Sequence, residues 1–216
     1  MSTVAGAGVF ITLEGIEGAG KSTVAKTLQA EAERRGAPVL LTREPGGTPL
    51  AESLRELLLR RGNEVLNPNA ETLLMFAARA VHLDNAVRPA LAAGRWVICD
   101  RFTDASFAYQ GGGRGVDEGL LSRLAAAVHA DLWPVRTLLL DVPVALGLQR
   151  ARSRPGAPDR FESEQLAFFE RVREAYLQRA AREPQRVRVI DATRPLAEVE
   201  AAARQAIADL LPMAGT

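Results

Sequence analysis

Length, composition and charge describe an ordinary globular protein and exclude several other classes. The chain has 216 residues, 47% of them hydrophobic and 25% charged, so we expect one domain over 1–216 with a full α/β core. A formal net charge of +1 gives no long-range attraction to nucleic acid or to an anionic membrane. Its one cysteine, Cys99, excludes an internal disulfide, and no apolar run approaches the roughly 18 residues of a membrane span. We therefore expect a cytoplasmic protein with no nucleic-acid partner and no membrane partner.

Short apolar runs alternate with longer helix-compatible segments along the chain. This alternation predicts a parallel β-sheet with crossover helices. The predicted strands are 9–13, 39–42, 96–99, 137–142 and 187–190. The predicted helices are 22–35, 50–61, 70–93, 118–130, 144–152, 163–182 and 196–211. Two prolines and a glycine between residues 153 and 159 exclude regular structure there, which predicts a short lid at about 150–162.

A glycine-rich segment follows the first predicted strand. Residues 15–22 read GIEGAGKS and match the pattern G-x-x-x-x-G-K-[ST]. In this pattern the backbone N–H groups cradle phosphates, Lys21 reaches the terminal phosphates, and the Ser22 hydroxyl can hold Mg²⁺. The helix that follows brings its N-terminus under the phosphates. We therefore predict a nucleoside triphosphate site made by Gly15, Ile16, Glu17, Gly18, Ala19, Gly20, Lys21, Ser22 and Thr23.

Arginines follow the next two predicted strands. Arg43 lies in the segment TREPGGT at 42–48, and Arg101 lies in DRF at 100–102. Because ligands of an open α/β sheet bind beyond the carboxyl ends of the strands, both arginines belong at the same mouth as the phosphate loop. Guanidinium groups pair with phosphate oxygens through two parallel hydrogen bonds. A second anionic substrate is therefore predicted.

Four segments together resemble the thymidylate kinase family: LEGIEGAGKS at 13–22, TREPGG at 42–47, DRF at 100–102 and AYQG at 108–111. The resemblance runs from about residue 9 to 211. It implies transfer of the γ-phosphoryl group of ATP to dTMP, giving dTDP, with Mg²⁺ as cofactor. It also implies a P-loop NTPase fold, an α/β fold with a five-stranded parallel sheet flanked by helices and a short lid, usually in a homodimer.

The residue types agree with that chemistry. The acceptor would be a phosphate oxygen that is already mostly ionised at neutral pH, because the second phosphate pKa is about 6, so no strong general base is needed. Neutralising two polyanions calls for lysine, arginine and a divalent cation. His82 and His129 are isolated in the sequence, and we expect a structural or a surface role for each.

The resemblance also assigns roles. It puts Glu17 on the acceptor sugar hydroxyl, Arg101 and Arg55 on the acceptor phosphate, and Gln110 on the thymine edge. Asp100 is preferred over Asp141 as the carboxylate near Mg²⁺, so the expected metal-binding pair is Ser22 and Asp100. The expected dTMP contacts are Glu17, Arg43, Arg55, Met75, Phe76, Arg79, Arg101, Ser106, Tyr109 and Gln110.

At two positions the chain departs from the family pattern. The family usually has a phenylalanine four residues before the arginine corresponding to Arg79, but Met75 stands there and Phe76 follows, so either could stack on thymine. Ala19 occupies a loop position where some members carry an arginine, which moves the transition-state arginine to the predicted lid, at 150, 152, 154 or 160. The expected catalytic set is Lys21, Arg101, Arg154, Arg150 and Glu17.

Two other functions compete with this interpretation. A related kinase could act on a different monophosphate or on a nucleoside. A nucleoside kinase would need a general base, and Glu17 or Glu44 could serve, although the TREPGG segment and the pair Tyr109 and Gln110 argue against it. A nucleotide-dependent switch or motor ATPase also carries a phosphate loop. The second set of arginines argues against that class, because a switch has no need of a second phosphate site.

Overall fold

The computed structural model describes residues 8–60, 66–153, 160–161 and 164–211. Five parallel strands form one sheet in the order β2-β3-β1-β4-β5. The strands are β1 (Phe10–Glu14), β2 (Val39–Arg43), β3 (Trp96–Asp100), β4 (Arg136–Asp141) and β5 (Val187–Asp191). Each agrees with its predicted bounds to within one residue at either end, which confirms the predicted parallel α/β sheet. Because β1 lies between β3 and β4, the phosphate loop leaves the middle of the sheet.

Helices cover both faces of this sheet. They are α1 (Lys21–Arg34), α2 (Pro49–Leu59), α3 (Pro68–His82), α4 (Arg88–Ala92), α5 (Thr103–Ser106), α6 (Glu118–His129), α7 (Val144–Arg152), α8 (Leu166–Arg182) and α9 (Leu196–Ala206). Side chains that accept from the first turn fix the starts of α2, α3 and α6; these caps are Thr48, Asn67 and Asp117. In the described part of the chain, no helix has the length and apolarity that crossing a bilayer requires.

Two predicted helices, 70–93 and 196–211, differ most from the structure, and smaller differences affect the end of α2 and the start of α8. The predicted helix 70–93 is α3 and α4 joined by a π-helical segment, Leu83–Val87. The helix 196–211 ends earlier, at Ala206. Hydrophobic spacing indicated a helix in each case, but this pattern does not reveal where a turn widens or where a helix frays at its end.

One helical region was not predicted from the sequence. Residues 103–113 form α5 and a second π-helical segment, Phe107–Gly113, which contains three consecutive glycines. The glycines serve packing, because a Cβ on Gly113 would lie 2.5 Å from the Phe168 ring and one on Gly112 would lie 2.6 Å from Ala175 Cβ. Helix α8 therefore packs directly on the backbone of this segment.

Candidate active site

A cavity of about 290 Å³ opens at the carboxyl ends of β1, β2 and β3. This is where a parallel sheet of this order places its ligands. Every predicted dTMP contact except Phe76 lines it. The lining residues are Glu17, Gly18, Lys21, Ser22, Arg43, Glu44, Pro45, Arg55, Leu59, Met75, Arg79, Asp100, Arg101, Phe102, Ala105, Ser106, Tyr109, Gln110 and Phe161.

The phosphate loop is a tight turn that depends on glycine. Gly15, Gly18 and Gly20 all have left-handed φ angles, of 132°, 73° and 93°. A Cβ on Gly18 would come within 1.9 Å of the Gly147 carbonyl oxygen, so the loop lies against α7. The Ile16 and Ala19 side chains of the loop are buried, and Thr23 lies in the first turn of α1. The predicted nucleotide-binding segment therefore has the backbone curvature that a phosphate cradle requires.

Lys21 is buried at the base of this loop. Its Nζ atom donates to the carbonyl oxygens of Gly15, at 2.9 Å, and Ile16, at 3.0 Å. Burial, together with the positive charge of Arg101, lowers the pKa of Lys21 to about 8. A polyanion arriving at the loop would favour the charged ammonium form.

The predicted metal-binding pair lies together at the mouth of the cavity. Ser22 Oγ donates to Asp100 Oδ2 over 3.4 Å. The rival carboxylate, Asp141, instead accepts two hydrogen bonds from Arg173, at 2.7 and 2.8 Å. Only Asp100 is therefore adjacent to the phosphate loop with its charge directed at the cavity.

Arg101 occupies the centre of the cavity in a strained backbone conformation. Its φ angle is 72°, in the left-handed region that non-glycine residues rarely adopt. Its Nη2 donates to Glu17 Oε1 at 2.9 Å, and its guanidinium lies 4.7 Å from the centroid of the Tyr109 ring. The Tyr109 hydroxyl also donates to Glu17, at 2.8 Å from each carboxylate oxygen. Arg101 Nη1 is buried and has no hydrogen-bond partner among the described residues.

Arg79 closes the deep end of the cavity. Its Nε donates to Glu44 Oε2 at 2.7 Å, and its Nη2 donates to the Phe102 carbonyl and to Ser106 Oγ, each at 3.1 Å. Burial opposes ionisation of Glu44, but the charge of Arg79 and a hydrogen bond from His82 outweigh it and lower the pKa of Glu44. Arg79 Nη1 is buried and makes no hydrogen bond within the described part of the chain.

The two candidate platforms for the base lie in different surroundings. Phe76 is 2% exposed and packs in the core with Phe107 and Leu121, so it does not line the cavity. Met75, which is partly buried, does line it. The predicted contact at Phe76 is therefore wrong in this geometry, because its ring lies beneath the Arg79 guanidinium, 4.6 Å from ring centroid to Cζ.

Two arginines near the entrance are held by the protein. Arg43 Nη2 donates to both oxygens of Glu52 at 3.0 Å, and Arg55 Nη1 donates to the Pro45 carbonyl at 2.9 Å. Both line the cavity. They bring further positive charge to the end at which the phosphate loop opens.

The predicted lid arginines are only partly described. Arg150 Nη1 donates to the Ala192 carbonyl at 2.8 Å, and Arg150 does not line the cavity. Arg154 lies outside the described residues. Arg160 Nε donates to the Leu58 carbonyl at 3.0 Å, and its Nη2 donates to Glu71 at 2.8 Å.

Among the residues not predicted from the sequence are Phe161, which lines the cavity, and Glu71, which lies behind it. The Phe161 ring lines the cavity edge-on to Tyr109, with 6.1 Å between ring centroids. Glu71 is fully buried on α3 and accepts from Gln110 Nε2 at 2.8 Å. A buried charge can be recognised only through its partners, and those partners come from distant parts of the chain.

Both histidines are buried in structural positions, as predicted. His82 contacts Thr42 and Glu44, and His129 contacts Thr103. Burial lowers the pKa of His129 to about 4, with Arg79 contributing. Cys99 is also buried, which raises its pKa.

Together the parallel sheet, the phosphate loop after its central strand and the arginine-lined cavity define a protein with the P-loop NTPase fold. The family model described as thymidylate kinase matches residues 13–203. Thymidylate kinase of Pseudomonas savastanoi pv. phaseolicola is 54% identical over 206 residues, covering 95% of this chain and 98% of that protein. The chain belongs to the thymidylate kinase family.

Two further relatives support this assignment. Thymidylate kinase of Nitrosomonas europaea is 54% identical over 202 residues, covering 94% of this chain and 93% of that protein. The crystal structure of thymidylate kinase from Ehrlichia chaffeensis superposes with a TM-score of 0.74 at 33% identity, covering 92% of this chain and 98% of that one. The similarity therefore extends over nearly the whole fold.

Proposed function

We infer that this chain is an ATP:dTMP phosphotransferase that forms dTDP and ADP and serves nucleotide biosynthesis. The carrying observation is a single cavity that joins the phosphate loop to a second group of arginines and to a deep end lined by Met75 and Arg79. A nucleotide-dependent switch or motor ATPase has no second anionic substrate, so it does not need the second group of arginines. The proposal takes 1–216 as one kinase domain.

The phosphates of the two substrates would meet between Lys21 and Arg101. Lys21 would turn from the Gly15 and Ile16 carbonyls to the β- and γ-phosphates of ATP, exchanging two neutral acceptors for charged ones. Arg101 would bind the acceptor phosphate through Nη1, whose hydrogen-bonding capacity is unused by the described residues. Arg55 and Arg43 would complete that phosphate site. The acceptor oxygen is already ionised, so positioning and charge neutralisation supply the catalysis.

Ser22 and Asp100 are suited to hold Mg²⁺. Both offer oxygen atoms, the ligands that this ion prefers, and they lie 3.4 Å apart at the phosphate loop. When bound, Mg²⁺ would neutralise charge on the triphosphate. The chain itself would orient the pair through β3 and the first turn of α1.

The nucleoside of dTMP would occupy the deep end. Met75 would support one face of thymine, and the unused Nη1 of Arg79 would donate to a base oxygen. Glu17, held by Tyr109 and Arg101, would accept from the sugar hydroxyl. Ser106 and Gln110 would line the base edge.

A transition-state arginine from the lid remains a prediction. Arg150 is engaged with the Ala192 carbonyl and does not line the cavity, which leaves Arg152, Arg154 and Arg160 as candidates. Arg101, which lies in the cavity, is the alternative source of this charge.

The proposal includes a homodimer in the cytoplasm, where ATP and nucleoside monophosphates are used. Leu50, Leu57 and Leu73 are each more than half exposed on α2 and α3, which offers an apolar surface to a second copy. Light scattering at several protein concentrations tests this assembly, and a monomer mass at every concentration would contradict it.

A panel of nucleoside monophosphates tests the function. ATP, Mg²⁺ and dTMP, dUMP, dCMP, dGMP or AMP are incubated with the protein, and ADP formation is followed. We expect turnover with dTMP and little ATP consumption without an acceptor. Rapid ATP hydrolysis that is independent of any monophosphate would instead indicate a switch or motor ATPase.

A further inference from the structure

Glu71 joins the base edge of the cavity to two arginines behind it. It is 0% exposed, and its Oε1 accepts from Gln110 Nε2 at 2.8 Å. Its Oε2 accepts from Arg160 Nη2 at 2.8 Å and lies 3.3 Å from Arg114 Nε. Two guanidinium groups therefore converge on one buried carboxyl oxygen of Glu71.

This contact fixes the orientation of the Gln110 amide. A carboxylate only accepts hydrogen bonds, so the end of Gln110 that faces it must be the NH₂ group. The remaining polar atom of the amide is Oε1, and no described residue donates to it. Because Gln110 lines the cavity, its Oε1 atom would present a hydrogen-bond acceptor to a base bound there.

An acceptor at this point discriminates between pyrimidines. Thymine offers an N3–H donor beside its O4 acceptor, whereas cytosine offers an N3 acceptor beside an amino donor. Gln110 Oε1 would accept from thymine N3–H, and the guanidinium of Arg79, which lines the same cavity, would supply a donor for O4. With cytosine, the N3 acceptor would face the Gln110 Oε1 acceptor, and the amino donor would face the Arg79 donor. Both mismatches leave buried groups without a hydrogen bond.

We propose that Glu71 is a specificity-determining residue, which selects thymine over cytosine by holding the Gln110 carbonyl oxygen toward the base. Glu71 itself does not touch the substrate. This inference rests on the proposed function, because it assumes that dTMP binds in this cavity.

The decisive experiment compares kcat/KM for dTMP and for dCMP in wild type and in Glu71→Gln. The new amide can donate to Gln110, which frees the Gln110 amide to flip and present its NH₂ group to cytosine N3. We expect the dTMP-over-dCMP ratio to fall at least about tenfold. In a Gln110→Ala background the same substitution should leave the ratio unchanged within about threefold.

Two matched variants separate selectivity from general damage to the charge cluster. Glu164→Gln removes the other carboxylate that binds Arg114, whose Nη1 donates to Glu164 Oε1 at 2.6 Å, and does not touch Gln110. Glu71→Asp keeps an acceptor. Both should retain the wild-type ratio even where kcat/KM itself falls.

The proposal is overturned if folded Glu71→Gln keeps a ratio within about threefold of wild type, or if its effect persists without Gln110. Should Glu71→Gln fail to fold, wild type and dTMP methylated at N3 still test the amide orientation. Equal kcat/KM for this analogue and for dTMP would overturn the proposal, and a loss of about 100-fold would support it. Wild type that does not phosphorylate dTMP at all would refute the proposed function instead.

Discussion

Single charged side chains in the cavity are held by groups of the protein that a substrate can replace. Lys21 binds two carbonyl oxygens, and Arg101 binds Glu17. In the proposed function, phosphate oxygens would replace these partners. Side chains that are already held at the cavity would then lose less entropy on binding.

Lys21→Ala should abolish most of the turnover and leave the fold intact. The ammonium group neutralises charge on the transferring phosphoryl group, so we expect kcat to fall at least about 10³-fold. Lys26→Ala, on an exposed position of α1, is the matched control and should keep full activity. Rates and melting temperatures measured together decide the matter, and a Lys21→Ala rate within about tenfold of wild type would refute the phosphate-loop assignment.

The apolar wall at Met75 should favour dTMP over dUMP. One methyl group in an apolar pocket is worth roughly 1–3 kcal/mol, or about 10–200-fold in kcat/KM. Met75→Ala should reduce this preference, whereas Phe76→Leu, in the core, should change stability more than preference. The prediction fails if wild type uses both nucleotides with equal kcat/KM.

At the scale of elements, the region 103–113 carries three cavity-lining side chains that are proposed contacts of dTMP, on a helix that widens. Ser106 ends α5, and Tyr109 and Gln110 lie in the π-helical segment Phe107–Gly113. A π-helical turn contains more residues than an α-helical one, so it changes which side chains face the cavity. The packing of α8 on Gly112 and Gly113 stabilises this arrangement.

Gly147→Ala should weaken ATP binding by moving α7 away from the phosphate loop. A Cβ on Gly147 would lie 2.7 Å from the Glu17 carbonyl oxygen and 3.0 Å from Ile16 Cδ1, so loop or helix must shift. We expect the KM for ATP to rise about tenfold. Gly119→Ala in α6 is the control for helix propensity, because its Cβ would meet mainly the Asp117 side chain. Unchanged kinetics in Gly147→Ala would show that this contact does not shape the loop.

At the scale of the whole molecule, buried ion pairs join α5, which carries Ser106 of the cavity, to α8 and to the start of the edge strand β5. Asp104 of α5 accepts from Arg179 of α8 at 2.6 Å and from Arg186, next to β5, at 2.7 Å. Burial would raise the pKa of Asp104, but these two arginines lower it on balance. Removing either arginine would leave the buried Asp104 carboxylate with one guanidinium partner instead of two, which should be destabilising.

Acid should destabilise the protein through His129. Its folded pKa of about 4 lies below the ordinary value of 6.5, so between these values the unfolded chain binds a proton that the folded chain does not. The free energy of unfolding should therefore fall as the pH decreases from about 6.5 toward 4.

His129→Gln removes this titration and keeps groups that can bond Thr103 and the Leu132 carbonyl. Its melting temperature should fall about 5 °C less than that of wild type between pH 7 and pH 5. Melting curves for both proteins at a series of pH values test this difference. Parallel pH dependences would contradict a role for His129.

The sequence alone determined the features that depend on neighbouring residues. The phosphate loop was predicted because its glycines and Lys21 act within one turn of backbone. The five strands were predicted because parallel strands buried on both faces are short apolar runs. Motif order along the chain was enough to indicate the family, which the comparisons confirm.

Only the tertiary structure decided the order of the strands, the face on which Met75 and Phe76 lie, and the partners of Glu71. The helix at 103–113 was missed because its glycines are explained by contacts with Phe168 and Ala175, more than 50 residues away. In the same way, Glu71 meets Gln110 and Arg160, which lie 39 and 89 residues further along the chain. Burying a charge is favourable only when such distant groups converge on it, and no local pattern of residues records that convergence.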